Sequence, residues 1–275
     1  MDDILAPRFI DPAAARKHLE ALRWPDGAEC PHCGLIKATP IKGGRDGLYQ
    51  CNSCREQFTV TVGTLFEKSK IPLNKWLLAN HLLCASKKGM SAAQVGRMLG
   101  VTYKTAWFMM HRIRAAMKIE PTRPLGGPGK IVEADETFVG GKARSFHFAN
   151  VHGNTIRALV VTNVDRASHL MTDAAHHYAP IGREFASHGS VLHTGGEYVR
   201  GQAHSNTVEN FFSIFKRGVI GTYHHLSECH LHRYTAEFDF RYNTRTEHDR
   251  VRADMNLANI GGKRLTYRRT DRLAA

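Results

Sequence analysis

Two sets of residues in this chain have the types and spacing to do chemistry. The first lies in AHSNTVENFFSIFKRG, residues 203–218, where Glu209 and Lys216 are seven positions apart. At about 100° per residue, seven positions return to nearly the same helical angle two turns on. An acid and a base would then share one face. Val208, Phe211, Phe212, Phe215 and Val219 follow the i, i+3, i+4, i+7 pattern, so the helix buries an aromatic stripe and holds Glu209 and Lys216 at its edge. Such a mount suits chemistry on phosphates, and two isolated aspartates upstream, Asp135 and Asp173, are available to complete it.

The second set is Cys30-Pro-His-Cys33 with Cys51-Asn-Ser-Cys54, a C-x2-C-x17-C-x2-C pattern. Each short turn places two thiolates on one side of a metal, and two turns close a tetrahedral four-thiolate site. With no open position for substrate, its zinc is structural. A redox pair is the weaker reading, because one pair would suffice for it and no βαβ pattern surrounds these. The other two cysteines, Cys84 and Cys229, stand alone, which in a reducing compartment favours metal over disulfides.

The elements that must carry these residues make a multidomain α+β chain. Residues 1–25 hold a short helix, DPAAARKHLEAL, with Asp11 as N-cap and Pro12 in the first position. Residues 26–68 form the zinc ribbon, with a hairpin in KATPIKGGRDGLYQ and a further strand in REQFTVTVGT. Residues 69–120 turn helical. Ser91 with Gln94 makes a capping box, Gly100 breaks that helix, and Thr102 caps the next. This is a helix-turn-helix pattern with Val95, Met98, Leu99, Val101, Ala106, Met110 and Ile113 inside. Tyr103, Lys104, Thr105, His111, Arg112 and Arg114 are left outside, and the first three stand where such a helix meets base edges. An ordinary helical hairpin is the plainer alternative.

Residues 121–130, rich in Pro and Gly, read as a linker. In residues 131–245, KIVEADETF is a strand bearing Asp135, ARSFHFANV a second strand, TIRALVVTNVD a short helix, and SHLMTDAAHHY a strand ending at Asp173. SHGSVLHTGGEYVRG adds a short strand and turn before the Glu209 helix. Residues 246–275 are a basic tail, whose KRLTYRR is suited to tracking phosphates.

With 38 Lys and Arg against 25 Asp and Glu, the formal charge is +13, which favours a polyanionic partner, nucleic acid first. No apolar run is long enough to span a membrane, and the acidic N-terminus lacks a signal core, so a cytoplasmic protein is expected. His176, His177, His224 and His225 lack paired spacing on one element and read as polar surface or DNA contacts.

The segments CPHCG, CNSC, EADETFVGGK and HSNTVENFFSIFKRGVIGTYHHLSECHLHRYTAEFDFRYNTR resemble the DDE-type transposases of bacterial insertion sequences, the ISXO-like group. That resemblance covers nearly the whole chain and implies a zinc ribbon, a helical DNA-binding region and an RNase H-like α/β domain with a mixed sheet. It implies that Asp135 and Asp173 are the catalytic aspartates, Glu209 the third acid and Lys216 a base that positions DNA. Asn206 is a secondary candidate for the third ligand, since either residue type occurs there. The three acids would hold Mg²⁺ or Mn²⁺, whose preference is for hard oxygen donors. Tyr103, Lys104, Thr105, Arg112, Lys216 and Arg217 would contact double-stranded DNA, at element ends and target, in a homo-oligomer. The residues alone leave other readings open: Asn206 to Glu209 is also a capping box, Asp173 a turn residue, and Lys216 part of a solvated face.

One departure stands out. Only 37 residues lie between Asp135 and Asp173, fewer than the resemblance implies, and VGGK runs directly into ARSFHFANV. The sheet is therefore expected to be one strand short, and the chain to be an internally deleted copy with weakened or absent activity. A non-catalytic DNA-binding regulator or inhibitor is the alternative.

Overall fold

The structure, a computed structural model, describes residues 4–119, 123–135, 137, 153–191, 206–263 and 265. The chain divides into two compact units, one made of Met1–Ile119 with Arg233–Ala275 and the other of Glu120–His232.

Two helices, α1 (Pro7–Ile10) and α2 (Pro12–Arg23), open the first unit. Asp11 accepts hydrogen bonds from the backbone N–H groups of Ala13 and Ala14, each at 3.0 Å, and Pro12 takes the position where no N–H is needed. Three antiparallel strands follow in the order β1 (Ala38–Pro40), β2 (Tyr49–Cys51), β3 (Gln57–Phe58). Their small apolar floor is aromatic, with Trp24 edge-on to both Tyr49 and Phe58.

Three helices come next: α3 (Leu73–Ala85), α4 (Ala92–Leu99) and α5 (Tyr103–Met117). The Ser91 hydroxyl accepts from Gln94 N–H at 3.2 Å and the Thr102 hydroxyl from Thr105 N–H at 3.3 Å, so both helices start where their caps predict. Gly96 faces the turn between them. A Cβ there would lie 3.1 Å from the Val101 carbonyl oxygen and 3.6 Å from Ala106 Cβ, so the missing side chain lets α4 close on the start of α5.

The second unit contains β4 (Ile131–Ala134), α6 (Gly153–Asn163), β5 (His169–Asp173), α7 (Tyr178–Gly182), β6 (Ser187–Val191) and α8 (Asn206–Gly218), which runs into a π-helical turn over Val219–Tyr223. The three strands are parallel in the order β4-β5-β6. Parallel neighbours require a crossover, and α6 lies in the connection from β4 to β5. The sheet has two distinct faces. Val132, Ala134 and Leu170 pack on one side with Ile156, Val160, Tyr178, Ile181 and Phe185, from α6, α7 and the segment after it. Period-two alternation sends Glu133, Asp135, Met171 and Asp173 to the other. Residues 123–130, expected as a linker, lie against α6: Leu125 N–H donates to the Asn163 carbonyl and Asp165 N–H to the Leu125 carbonyl, both at 2.8 Å.

Two further helices, α9 (Glu228–Asn243) and α10 (Asp249–Ala258), complete the chain's described elements. Residues 246–263, part of the stretch read from sequence as a tail, instead help form the core of the first unit. Leu257 and Ile260 join Phe240, Leu19, Trp76, Leu77, Leu83, Met109 and Met110 there. The Asn256 amide donates to Asn80 Oδ1 at 2.6 Å, and the Asn80 amide donates to the Ala253 carbonyl at 2.9 Å. The expected strand ARSFHFANV, and with it the question of a missing strand, falls outside the described residues, as does most of KRLTYRR. No helix among the described residues is long and apolar enough to cross a membrane.

Candidate functional site

The four cysteine sulfurs of the ribbon converge. They all lie within 4.8 Å of one another, with Cys30 to Cys54 and Cys33 to Cys51 each at 3.6 Å. A zinc ion with four bonds of about 2.3 Å requires sulfurs about 3.8 Å apart, so the set fits structural zinc. The two turns share one backbone design. Gly34 N–H donates to the Cys30 carbonyl and Arg55 N–H to the Cys51 carbonyl, and both Gly34 (φ 74°) and Arg55 (φ 65°) are left-handed. Glycine meets that demand freely, whereas arginine is strained there. Without a metal the backbone N–H of Cys54, helped by that of Ser53, holds the Cys51 thiol down to about 6, while its neighbour Cys54 is pushed up to about 12.

Asp135 follows β4 and Asp173 ends β5, at the C-terminal ends of adjacent parallel strands, but among the described residues the four cysteines alone bring three or more ligand atoms within metal reach, so Asp135, Asp173 and Glu209 are not drawn into one such group. Ala134 pairs with Thr172, and Asp135 and Asp173 are the next residue of each segment. Asp173 ends β5 half-buried, and its Oδ1 accepts from Ala175 N–H at 3.1 Å. That bond makes it a turn residue as well as a candidate ligand; the two readings coexist.

The helix bearing Glu209 is tied to this same face. Glu133, two residues before Asp135, accepts from the Thr207 and Val208 N–H groups through Oε2 at 2.9 and 3.1 Å. Glu209 is half-buried in the first turn, while Lys216 and Arg217 are exposed near the other end. The aromatic stripe is only partly submerged: Phe215 and Val219 are buried, whereas Val208, Phe211 and Phe212 are half-buried. Asn206 is the exposed first residue of α8. Glu133 is not among the residues the sequence singles out.

The outward face expected for α5 needs correction. Tyr103 and Lys104 are exposed and Thr105 half-buried, but Arg112, expected to meet DNA, is 6% exposed. Its guanidinium donates to the Glu67 carbonyl at 3.1 Å and lies over the Trp76 and Phe108 rings. His111 and Arg114 are also buried. Arg114 Nε donates to Glu237 Oε2 at 2.5 Å, and Arg241 pairs with the other oxygen of the same carboxylate. The face is covered because α9 supplies the acid and the Tyr234 ring beside it. Met98, expected inside, is exposed, since Val95 and Leu99 already direct short α4 inward.

Comparison with known proteins adds the lineage. Residues 11–57 match the transposase zinc-ribbon domain and residues 141–243 match the ISXO2-like transposase domain, together more than half of the chain. The chain thus resembles the ISXO2-like transposases in both segments. It is also similar to an uncharacterised protein in transposable element ISH50 of Halobacterium salinarum, at 27% identity over 253 residues, covering 76% of this chain and 83% of that one. No solved structure matches. The ISXO2-like transposase domain match takes in Asp173, Glu209 and Lys216 but begins after Asp135. A transposase domain implies DNA as the partner, and the zinc-ribbon match with the converged sulfurs supports structural zinc at the four cysteines.

Proposed function

We propose that this chain is a transposase that cleaves and joins DNA strands in an RNase H-like domain, with Asp135, Asp173 and Glu209 as its metal-binding acids. The observation that carries the reading is that Glu133 ties the first turn of α8 to β4, whose Ala134 pairs with Thr172 just before Asp135 and Asp173. Three carboxylates are hard oxygen donors that suit Mg²⁺ or Mn²⁺. When bound, such ions stabilise the attacking and leaving oxygens of an in-line displacement.

The rest falls to the chain's own side chains. Asp135 and Asp173 hold the scissile phosphate's surroundings at the strand ends, and Glu209 closes the set from the helix, with Asn206 as the secondary candidate. Lys216 lies two turns, about 10 Å, along α8 from Glu209 and meets a phosphate beside the one being cut. Arg217 adds a second cationic contact. In the first step a water oxygen bonds to phosphorus, the bond from phosphorus to the 3′ oxygen breaks, and that oxygen takes up a proton. In the second, the freed 3′ hydroxyl loses its proton and attacks a phosphorus of the target, displacing a target 3′ oxygen. The α4–α5 pair acts as a helix-turn-helix, with Tyr103, Lys104 and Thr105 at the base edges. Two element ends call for two copies of the chain.

The short interval before Asp173 is read as a loss. A match 253 residues long that takes in 76% of a 275-residue chain spans positions where the relative has residues and this chain has none. The deciding experiment is Mg²⁺-dependent cleavage of end-labelled DNA carrying the element's termini. Wild-type protein should nick it, and Asp135→Asn should bind the DNA equally well without cutting. Equal cutting by Asp135→Asn would overturn the assignment.

A further inference from the structure

The side chain that joins the sheet to α8 belongs to none of the three acids. Glu133 Oε2 accepts from Thr207 N–H at 2.9 Å and Val208 N–H at 3.1 Å. These N–H groups lie in the first turn of α8, where the helix itself offers no acceptor. A carboxylate there also meets the positive end of the helix dipole. Ordinarily the residue just before a helix performs this task; here a strand performs it, from 74 residues away in sequence.

Its position in the strand gives the contact a consequence for the site. Glu133 precedes Asp135 by two residues and shares its face of the sheet, while Val208 immediately precedes Glu209. A single side chain therefore links the strand that delivers the first acid to the turn that delivers the third. Two bonds to successive N–H groups fix both the height and the rotation of α8 on β4, and the charge on the acceptor strengthens each.

We propose that Glu133 is a positioning residue for the metal-binding carboxylates, setting the distance from Glu209 to Asp135 by clamping the first turn of α8 to β4. This inference rests on the reading of Asp135, Asp173 and Glu209 as the metal set. Partners that orient metal ligands are typically worth about 10- to 100-fold in metal affinity.

The test is Mn²⁺ binding to the full-length, zinc-loaded protein, followed by the electron paramagnetic resonance signal of free Mn²⁺. Hydrogen exchange of the Thr207 and Val208 amides is read in parallel. Asp135→Asn should abolish the site. Glu133→Ala should weaken binding about tenfold and speed exchange at both amides, with its thermal transition still cooperative. Glu133→Gln keeps a carbonyl acceptor at the same reach and should recover most of the affinity, whereas Glu133→Asp keeps the charge, shortens the reach and should not. Should the alanine variant fold poorly, the contrast between Gln and Asp decides. Wild-type affinity in Glu133→Ala, beside a loss in Asp135→Asn, overturns this inference alone, as does rescue by Asp and not by Gln. Unchanged binding in Asp135→Asn overturns the metal set, and the inference with it.

Discussion

Ala134 and Thr172 pair across neighbouring parallel strands, and Asp135 and Asp173 are the residues that follow them at the C-terminal ends. Two carboxylates that close on one metal at those ends would repel in its absence. Replacing Asp173 by Asn should thus abolish Mg²⁺-dependent cleavage while leaving the thermal midpoint equal or higher. Calorimetry beside a nicking assay checks both.

Lys216 and Arg217 are exposed and should act through phosphates rather than folding. Changing Lys216 to Ala should lower cleavage at saturating DNA by at least about tenfold and reduce the salt dependence of DNA affinity by about one unit of slope. Fluorescence anisotropy over a series of salt concentrations measures the second effect.

The ribbon should release one zinc per chain when Cys33 is changed to Ser or a strong chelator is added, with a fall in the melting temperature of the first unit. Within the same turns, Arg55→Gly removes a left-handed arginine and should stabilise the zinc-loaded protein by about 1 kcal/mol, while Gly34→Ala should destabilise it by a similar amount. Denaturant titration with excess zinc distinguishes the two.

Glu237 is buried between Arg114 and Arg241. Removing it leaves two buried guanidinium groups without their carboxylate, a change of about 3–5 kcal/mol. Glu237→Ala should therefore shift the urea midpoint of the first unit sharply, and a fragment ending at residue 245 should lose that unit's cooperative transition altogether. Near-ultraviolet circular dichroism of the Trp76 environment reads both.

His188 lies against Gly182 and its Nε2 hydrogen-bonds with the Thr172 hydroxyl at 2.9 Å. Burial lowers its pKa from 6.5, so below that value the unfolded chain takes up a proton that the folded one resists. Stability of the second unit should be level above pH 6.5 and decline as the pH falls through the lowered folded value. Thermal melts of His188→Gln should show a weaker decline.

Restoring the interval between Asp135 and Asp173 from a full-length relative should raise the cleavage rate above that of the present chain. Equal rates would show that the shortened connection costs the reaction nothing.

Much of this was legible in the sequence because it is local. Asp11, Ser91 and Thr102 cap the helices they precede, and two cysteine pairs announce their own metal. Arg112 and Arg114 were misplaced for the opposite reason. Periodicity divides a helix into faces, but whether a polar face meets water depends on what covers it, and here the cover includes Glu237, 123 residues beyond Arg114. Glu133 escaped notice similarly, since a strand residue capping a distant helix leaves no spacing signature.

The return of α9 and α10 to the first unit has a consequence during synthesis. Asn80 meets Ala253 across 173 residues and Asn256 across 176, so the N-terminal helices leave the ribosome long before the segment that completes their core. A nascent or prematurely terminated chain thus lacks a finished helical unit, however much of its zinc ribbon has formed. On the DNA-binding role proposed for that unit, engagement of DNA is deferred until translation has passed the codons for α10, by which point Asp135, Asp173 and Glu209 have all been made.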